Sequence, residues 1–436
     1  MKYYSTNRIS PEVSLKEAVI KGLAGDNGLF MPEIIPTFEA GFFSNIENLS
    51  FQEIGYAVAE KFFGDDIPAE KLKEIVFETL AFDCPVVKVT DNIYSLELFH
   101  GPTLAFKDVG ARFMARLLNY FLGESDKTVN VLVATSGDTG SAVANGFLGV
   151  EGIRVFVLYP KGKVSKIQES QFTTLGKNIT ALEIDGTFDD CQRLVKSAFL
   201  DNELNEKLLL TSANSINVAR FIPQSFYYFN AFARLKELGV LENKKLVFSV
   251  PSGNFGNLTA GLFAREMGLP VHRFIAANNN NHVIFDYLET GIYTPRESVE
   301  TLANAMDVGA PSNFARILDL YKNSHENIKN VMEGCWYPDN QIKEIVKEVY
   351  KNYGYICDPH GACGCRALQE HLKNEEIGVF LETAHPAKFV ETMEMILGKP
   401  TFVIPEKLEA FMKGTKESVD LKSDFEGFKR FLLSVY

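Results

Sequence analysis

Residues 246–257 read Leu-Val-Phe-Ser-Val-Pro-Ser-Gly-Asn-Phe-Gly-Asn, an apolar run that ends in a turn containing two glycines. Glycine lets the backbone approach a ligand closely, because it carries no side chain. A helical pattern follows at residues 258–267, and the unpaired N–H groups at a helix start favour an anion such as phosphate. The stretch predicts an anion site formed by Ser252, Gly253, Asn254, Phe255, Gly256 and Asn257. A plain turn between a strand and a helix is the alternative interpretation.

This stretch belongs to an alternation of short apolar runs and longer helical patterns that begins near residue 85. Short apolar runs are typical of strands buried on both faces of a parallel sheet. The runs are residues 129–134, 155–158, 246–250, 273–276 and 378–381, and the helical patterns include residues 142–148, 194–200 and 258–267. Such alternation predicts an α/β fold with mostly parallel strands. Two similar strand–turn–helix units, around Ser136 and Ser252, predict two open halves that face a cleft.

Two further apolar runs end in small polar residues, at the place where open α/β sheets bind their ligands. The first run continues into Thr-Ser-Gly-Asp-Thr-Gly-Ser at residues 135–141. Its candidates for binding a carboxylate are the hydroxyl groups of Ser136, Thr139 and Ser141. A helix N-cap at Ser136 or Asp138 is the alternative, and both interpretations can hold together. The second run ends at Thr383, whose hydroxyl is a candidate partner for a ring nitrogen or a simple helix cap.

Residues 100–108, His-Gly-Pro-Thr-Leu-Ala-Phe-Lys-Asp, place Lys107 directly after an apolar triplet. A lysine amine usually lies in water at the protein surface. The triplet Leu-Ala-Phe would instead desolvate this amine, which favours its neutral form and makes it a nucleophile toward carbonyl groups. Lys107 is therefore the candidate catalytic residue, and an ordinary surface lysine is the alternative.

Composition and charge exclude several classes of function. The chain has 436 residues, of which 46% are hydrophobic and 23% charged, as in a protein with a large core. Its net charge of −12 disfavours a nucleic-acid or anionic-membrane partner, although a local pocket can still be basic. No apolar run approaches the roughly 20 residues of a membrane span, and the N-terminus lacks a secretory pattern. Six cysteines without an export signal indicate reduced thiols and a cytoplasmic protein.

One cluster has residue types that suit a metal ion: Cys357, His360, Cys363 and Cys365. The spacing crowds four ligands into one short segment and lacks the separated pairs of structural zinc sites. Small buried thiols at a turn and a helix start are the favoured interpretation, and no metal is predicted.

Changes in composition and hydrophobic pattern divide the chain into three regions. Residues 1–84 are predicted to be mainly helical, with a capping box of Ser14 and Glu17 and two helices over residues 51–63 and 69–82. Residues 85–400 form the α/β region with its two halves. Residues 401–436 are charged and mixed, and they are predicted to be a C-terminal arm. The sequence does not specify an oligomeric state.

These motifs together resemble the threonine synthase family. The resemblance rests on residues 100–108, 135–141, 252–257 and 383–389, extends to 26–32, 212–217 and 304–307, and covers residues near 4 to 400. It implies an enzyme of the tryptophan-synthase-β type (fold type II), with pyridoxal 5'-phosphate in the cleft between the halves. By this resemblance Lys107 binds the cofactor covalently, Ser252–Asn257 hold its phosphate, and Thr383 is the neutral partner of its ring nitrogen. Asp138 falls near the cofactor's phenolic oxygen, where a second negative charge is repelled unless a proton is shared.

The resemblance also implies a reaction, carried out by a carbon–oxygen lyase in the last step of threonine biosynthesis. O-phospho-L-homoserine and water would become L-threonine and phosphate, by γ-elimination and addition of water at Cβ. Lys107 would carry most of the proton transfers. Lys163 and Arg220 are the candidate cations for the substrate phosphate, and Ser136, Thr139 and Ser141 are the candidates for its carboxylate.

Three other functions fit parts of the sequence. A serine or threonine dehydratase with the same cofactor would release ammonia and an oxoacid, so a phosphate assay separates it from the first interpretation. A non-catalytic sensor of phosphorylated metabolites would bind without turnover, which the presence of Lys107 disfavours. Nicotinamide and P-loop nucleotide enzymes are disfavoured, because neither Gly-x-Gly-x-x-Gly after a strand nor Gly-Lys-Ser/Thr is present.

Overall fold

The computed structural model describes residues 1–123, 128–398 and 403–435, which form three sheets surrounded by helices. The smallest sheet lies in the N-terminal region and contains β1 (Lys2–Ser5), β2 (Val13–Ser14) and β3 (Phe30–Pro32), all antiparallel. Four helices complete this region: α1 (Leu15–Lys21), α2 (Ala40–Ser44), α3 (Phe51–Phe63) and α4 (Ala69–Thr79).

The prediction of a mainly helical N-terminal region is confirmed by these four helices, and the small sheet is an addition that the sequence did not predict. Its strands are only two to four residues long, too short for an alternating pattern, and they pair across distant parts of the sequence. Both predicted helices are present, although the one predicted over residues 69–82 ends at Thr79. The capping box of Ser14 and Glu17 is present in both directions, and α3 has the predicted bounds.

Two larger sheets form the rest of the fold. Their strands are β4 (Val86–Lys88), β5 (Ile93–Glu97), β6 (Val129–Ala134), β7 (Ile153–Pro160), β8 (Ile179–Asp185), β9 (Leu209–Ser212), β10 (Lys245–Pro251), β11 (Val271–Asn278), β12 (Met332–Trp336), β13 (Glu376–Glu382) and β14 (Val419–Lys422). One sheet has the order β12-β11-β10-β13-β5-β4, parallel except for the edge strand β4. The other has the order β14-β8-β7-β6-β9 and is wholly parallel. The predicted architecture of two parallel α/β halves is confirmed.

Helices cover these two sheets. They are α5 (Lys107–Leu122), α6 (Asp138–Phe147), α7 (Lys166–Thr173), α8 (Phe188–Leu200), α9 (Asn202–Lys207), α10 (Val218–Phe221), α11 (Ser225–Glu237), α12 (Gly256–Glu266), α13 (Val283–Thr290), α14 (Phe314–Leu320), α15 (His325–Lys329), α16 (Asp339–Tyr353), α17 (Pro359–His371), α18 (Val390–Leu397), α19 (Glu406–Met412) and α20 (Phe425–Ser434). The helix α16 illustrates their packing. It buries Ile342, Ile345, Val346 and Val349, a spacing that places all four on one helical face. Among the described residues, no helix has the length and apolarity needed to cross a bilayer.

The segment predicted as a C-terminal arm contributes to the second sheet. Within it, β14 pairs in parallel with β8 and becomes the edge strand. Phe428 and Leu432 of α20 are buried in the same cluster of apolar side chains as Leu194 of α8. The predicted boundary between residues 400 and 401 lies outside the described residues.

Candidate active site

A cavity lies between the two large sheets, at the carboxyl ends of β6, β9, β10 and β13. Ten of the residues predicted for the site line it: Lys107, Ser136, Thr139, Arg220, Gly253, Asn254, Phe255, Gly256, Asn257 and Thr383. Asp138, Ser141 and Ser252 are buried but do not line it. Lys163 lines an adjoining cavity, which shares Ser136 with the first. Residues far apart in the sequence are thus brought to one cleft.

Lys107 is the first residue of α5 and is positioned by a short antiparallel pairing of the chain. The Phe106 N–H donates to the Thr383 carbonyl (2.9 Å), and the His385 N–H donates to the Leu104 carbonyl (3.1 Å). Leu104 has a φ of 57°, a conformation that a branched side chain adopts only when its surroundings impose it. The same pairing therefore fixes both Lys107 and Thr383 at the cavity wall.

The amine of Lys107 lies beside an aromatic ring, with its Nζ 5.6 Å from the centroid of the Phe106 ring. Burial lowers the pKa of Lys107 to about 8, with Asp138 opposing this shift and Lys388 and Arg220 adding to it. About half of such amines are neutral at pH 8, whereas an ordinary lysine is almost fully charged there. Lys107 can therefore act as a nucleophile and as a base near physiological pH.

The glycine turn between β10 and α12 forms a cradle of main-chain donors. In the described part of the chain, the N–H groups of residues 254–257 donate to no protein acceptor. A Cβ atom added to Gly253 would lie 2.6 Å from the Ala305 carbonyl oxygen and 2.8 Å from the Met306 Cα. Phe255 has a φ of 61° and precedes the first residue of the helix. Free N–H groups at a helix start, on a turn that only glycine can form, fit a phosphate group.

Two side chains hold this turn in place. Asn254 Oδ1 accepts from the Ser312 N–H (2.6 Å), and Asn254 Nδ2 donates to Ser215 Oγ (2.9 Å). The Ser252 hydroxyl, predicted as a cofactor contact, donates to Asn257 Oδ1 instead. The Ser252 hydroxyl thus stabilises the turn through a hydrogen bond within the protein.

The negative charge of Asp138 is balanced by a buried lysine, Lys388, to which the sequence analysis gave no role. Lys388 Nζ lies 2.7 Å from Asp138 Oδ1, and Gln168 Nε2 donates to the same oxygen (2.8 Å). Burial alone would raise the pKa of Asp138, but Lys388, Lys107 and the Gln168 hydrogen bond hold it below its usual range. The carboxylate therefore stays ionised inside the protein, with its charge balanced by Lys388.

The three hydroxyls predicted for a carboxylate ligand have different positions. Ser136 and Thr139 line the cavity. The Ser141 hydroxyl instead donates to the carbonyls of Gly137 (3.1 Å) and Gln168 (3.2 Å) inside the protein. Its position within α6 explains this difference, because a helical serine readily bonds the carbonyl four residues before it.

Arg220 is the buried cation of the cavity wall. Its guanidinium donates to the Ala213 carbonyl, its Nε atom has no hydrogen-bond partner, and it forms no ion pair with another described residue. Burial lowers the pKa of Arg220 to about 10, so it remains charged at neutral pH. A buried guanidinium without a carboxylate is costly to keep, and a bound anion would offset that cost.

The cysteines in the cluster around His360 are buried thiols near the start of α17. Cys357, Cys363 and Cys365 are buried, and the Cys363 thiol donates to the Pro359 carbonyl. Both ring nitrogens of His360 are engaged, because Nδ1 bonds Asp358 Oδ1 (2.5 Å) and Nε2 accepts from the Ala305 N–H (3.1 Å). His360 is therefore occupied in holding the loop that packs against Gly253.

Several cavity residues were missed as individual site residues. They are Phe188, Gln192, Ser215, Gln224, Asn304, Asp307 and His360. Asn304 and Asp307 lie within a sequence motif that was recognised only as part of the resemblance. Phe188 and Gln192 lie at the start of α8, where an amphipathic helix pattern carries no signal for a binding site.

Comparison with known proteins identifies the class to which this fold and site belong. Residues 84–382 match the family Pyridoxal-phosphate dependent enzyme. The matched range includes Lys107, the glycine turn and most of the residues that line the cavity. Residues 2–80 match Threonine synthase N terminus, and residues 361–432 match Threonine synthase, C-terminal. The protein is a pyridoxal-phosphate-dependent enzyme of fold type II.

Individual relatives narrow this class. The chain is 44% identical to the threonine synthase of Escherichia coli (strain K12), over 100% of both chains. The crystal structure of Escherichia coli threonine synthase covers 100% of both chains with a TM-score of 0.94 at 44% identity. A PLP-bound threonine synthase from Brucella melitensis covers 99% of this chain and 98% of its own, with a TM-score of 0.91 at 34% identity. The chain belongs to the threonine synthase family.

The residues of the cavity fit the cofactor of this class. The free N–H groups of residues 254–257 suit its phosphate, and the Lys107 amine, whose pKa burial lowers to about 8, suits its aldehyde. The Thr383 side chain offers an uncharged hydroxyl at the cavity wall. Lys107, the glycine turn and Thr383 all line one cavity.

Proposed function

We propose that this enzyme converts O-phospho-L-homoserine and water to L-threonine and phosphate. The observation that carries the proposal is the presence of two separate anion sites in one cavity. The main-chain cradle of residues 254–257 suits the cofactor phosphate, and the unpaired guanidinium of Arg220 suits a second phosphate on the substrate. A substrate whose one anionic group is a carboxylate held by Ser136 and Thr139 would leave the Arg220 guanidinium without an anion.

In the proposed reaction, the Cγ–O bond to phosphate breaks and a new C–O bond forms between water and Cβ. A proton leaves Cα and later returns, Cβ loses one proton, and Cγ gains one. Pyridoxal phosphate, when bound, supplies the electron sink for negative charge on the substrate carbons. Lys107 Nζ accepts and returns the protons, because its amine is neutral in a substantial fraction of molecules near pH 8.

The other cavity residues have binding roles in this proposal. Thr383 bonds the ring nitrogen without adding charge, and Ser136 and Thr139 bind the substrate carboxylate. Asp138 does not line the cavity, and its negative charge acts on Lys107 by raising the pKa of that amine. Lys163, in the adjoining cavity, attracts the phosphorylated substrate toward the cleft. We also propose a cytoplasmic location, which the six buried and unpaired cysteines support because reducing compartments preserve free thiols.

Replacing Arg220 should weaken binding of the phosphorylated substrate more than it changes chemistry. We expect Arg220→Met to raise KM for O-phospho-L-homoserine about 100-fold, since a buried charged hydrogen bond to an anion is lost. Arg220→Lys, which keeps the charge, should raise KM less. Steady-state kinetics with Arg193→Met, a half-exposed arginine on α8, as the control will test this. An unchanged KM in Arg220→Met would remove Arg220 from the substrate site.

The rate should depend on pH through the proton-accepting amine. Because the pKa of Lys107 is about 8, the neutral form is lost as the pH falls below that value. We expect kcat to rise with pH up to about 8 and to fall roughly tenfold per unit well below it. A pH profile measured from 6 to 9 with saturating substrate will test this, and a flat profile would contradict the role of Lys107.

Product analysis decides between the proposed reaction and its nearest alternative. Incubation of the holoenzyme with O-phospho-L-homoserine should release phosphate and threonine in equal amounts, with no ammonia. A dehydratase would give ammonia and an oxoacid from serine or threonine. Release of ammonia without phosphate would refute the proposal.

A further inference from the structure

A buried ion pair joins the two halves of the enzyme beside Lys107. Lys388 and Asp138 are 0% and 3% exposed, and no other lysine or arginine ion pair within the described ranges is buried as fully. Lys388 lies in the 3-10 turn Pro386–Phe389, which follows β13 of the six-stranded sheet. Asp138 begins α6, which follows β6 of the five-stranded sheet. The pair therefore links one half to the other.

Further hydrogen bonds fix this link on both sides. Lys388 Nζ donates to the Thr103 carbonyl (2.8 Å), in the segment that leads to Lys107. Ser165, in the five-stranded half, donates through its hydroxyl to the Lys388 carbonyl (3.2 Å). Gln168 Nε2 completes the set with its bond to the Asp138 carboxylate (2.8 Å). Lys388 thus connects its own turn to the segment before Lys107 through its ammonium, and to the five-stranded half through both its ammonium and its carbonyl.

The charges around Lys107 give this ion pair a second consequence. Burial lowers the pKa of Lys107 most, and among the charged neighbours Asp138 raises it whereas Lys388 and Arg220 lower it further. The charge of Lys388 also acts on two other titratable groups, Asp108 and His385. Without Lys388, the buried Asp138 carboxylate would have Lys107 as its nearest available cation, and it would hold that amine in the charged form.

We propose that Lys388 is a positioning residue that acts through Asp138, giving the carboxylate a permanent partner so that the Lys107 amine remains unpaired and free to move protons. This inference rests on the proposed role of Lys107. Lys388 also holds the segment before Lys107 against the opposite half through the Thr103 carbonyl. It lines the adjoining cavity and not the one that contains Lys107, so its effect on the chemistry is one of charge, exerted on the Lys107 amine by its own ammonium and by the carboxylate that it balances.

Three variants of the full-length holoenzyme test this inference by the direction of a pH shift. In Lys388→Met the acid limb of the kcat profile should move up by about one pH unit, because Asp138 is left to pair with Lys107. In Asp138→Asn it should move down, because the cation of Lys388 remains without its partner. In the double variant Lys388→Met/Asp138→Asn, both influences are removed together, and the midpoint should return close to that of the unmodified enzyme.

The visible absorption of the bound cofactor supplies a readout that does not require turnover. The pH midpoint of its absorption change should shift in the same order as the kcat profile, because the nitrogen of Lys107 takes part in both. Lys429→Met is the matched control, since Lys429 pairs with Asp201 and Glu203 far from the cavity. This control should leave both midpoints unchanged.

The outcomes separate a charge effect from a merely structural one. Opposite shifts in the two single variants, with recovery in the double variant, support the inference. Equal midpoints, or shifts in the same direction, overturn it. If Lys388→Met does not fold, Asp138→Asn and the double variant still decide the matter by their relative midpoints. If the unmodified enzyme makes no threonine, the proposed function fails, while the absorption titration still tests Lys388.

Discussion

The Lys107→Ala variant is expected to lose activity by a factor of at least about 10³, since the proton transfers alone contribute that much in enzymes of this kind. It should also lack the yellow chromophore of the bound cofactor, because no amine remains at residue 107 to react with the aldehyde. No hydrogen bond within the described ranges uses the Lys107 amine, so folding should be little changed. Turnover of O-phospho-L-homoserine and the absorption spectrum measure both effects.

Two further variants make this result specific. Lys107→Arg keeps a cation at the same position and should be equally inactive, since a guanidinium does not replace a neutral amine. Lys196→Ala, an exposed lysine on α8, should behave as the unmodified enzyme does. If Lys107→Ala retained a tenth of the activity, the assignment of the catalytic lysine would be wrong.

The Gly253→Ala variant is expected to bind the cofactor more than about tenfold more weakly. Its new Cβ atom would meet the Ala305 carbonyl oxygen at 2.6 Å and the Met306 Cα at 2.8 Å, and both are backbone atoms. The turn must shift to relieve this contact, at a cost of about 1–3 kcal/mol, and the N–H groups of residues 254–257 move with it. Titration of the enzyme with pyridoxal phosphate, followed by absorbance, gives the dissociation constant.

The matched control is Gly41→Ala, at a helical glycine where an added Cβ atom meets nothing within 4 Å. This variant should bind the cofactor normally and should be slightly more stable, because alanine favours a helix over glycine. Equal cofactor affinity in Gly253→Ala and Gly41→Ala would show that the turn does not hold the phosphate.

The parts of the site that were predictable from the sequence are those encoded locally. Lys107 follows its own apolar triplet, and the glycine turn lies directly between a strand and a helix, so each motif carries its own chemistry. The alternation of short runs and helices likewise predicted the two parallel sheets. Because parallel strands carry their ligands at one edge, Thr383 and Ser136 were expected near the same cleft.

The parts that were missed depend on contacts between distant residues. Lys388 pairs with Asp138 across the two halves, and nothing in either local sequence indicates the partner. Ser141 looked like Ser136 in the sequence, but the turn of α6 directs its hydroxyl to the Gly137 carbonyl. The strand β14 is exposed along most of its length, so its residues lack the apolar pattern of the inner strands. Its place in the sheet follows from pairing with β8.

The central claim is that the amine of Lys107 carries the cofactor in a cleft built for two phosphates. Borohydride reduction of the holoenzyme, followed by proteolysis and mass spectrometry, tests it most directly. The account predicts one pyridoxyl-phosphate group per chain, located on the peptide that contains Lys107. A reduced group on another lysine, with Lys107 unmodified, would contradict it.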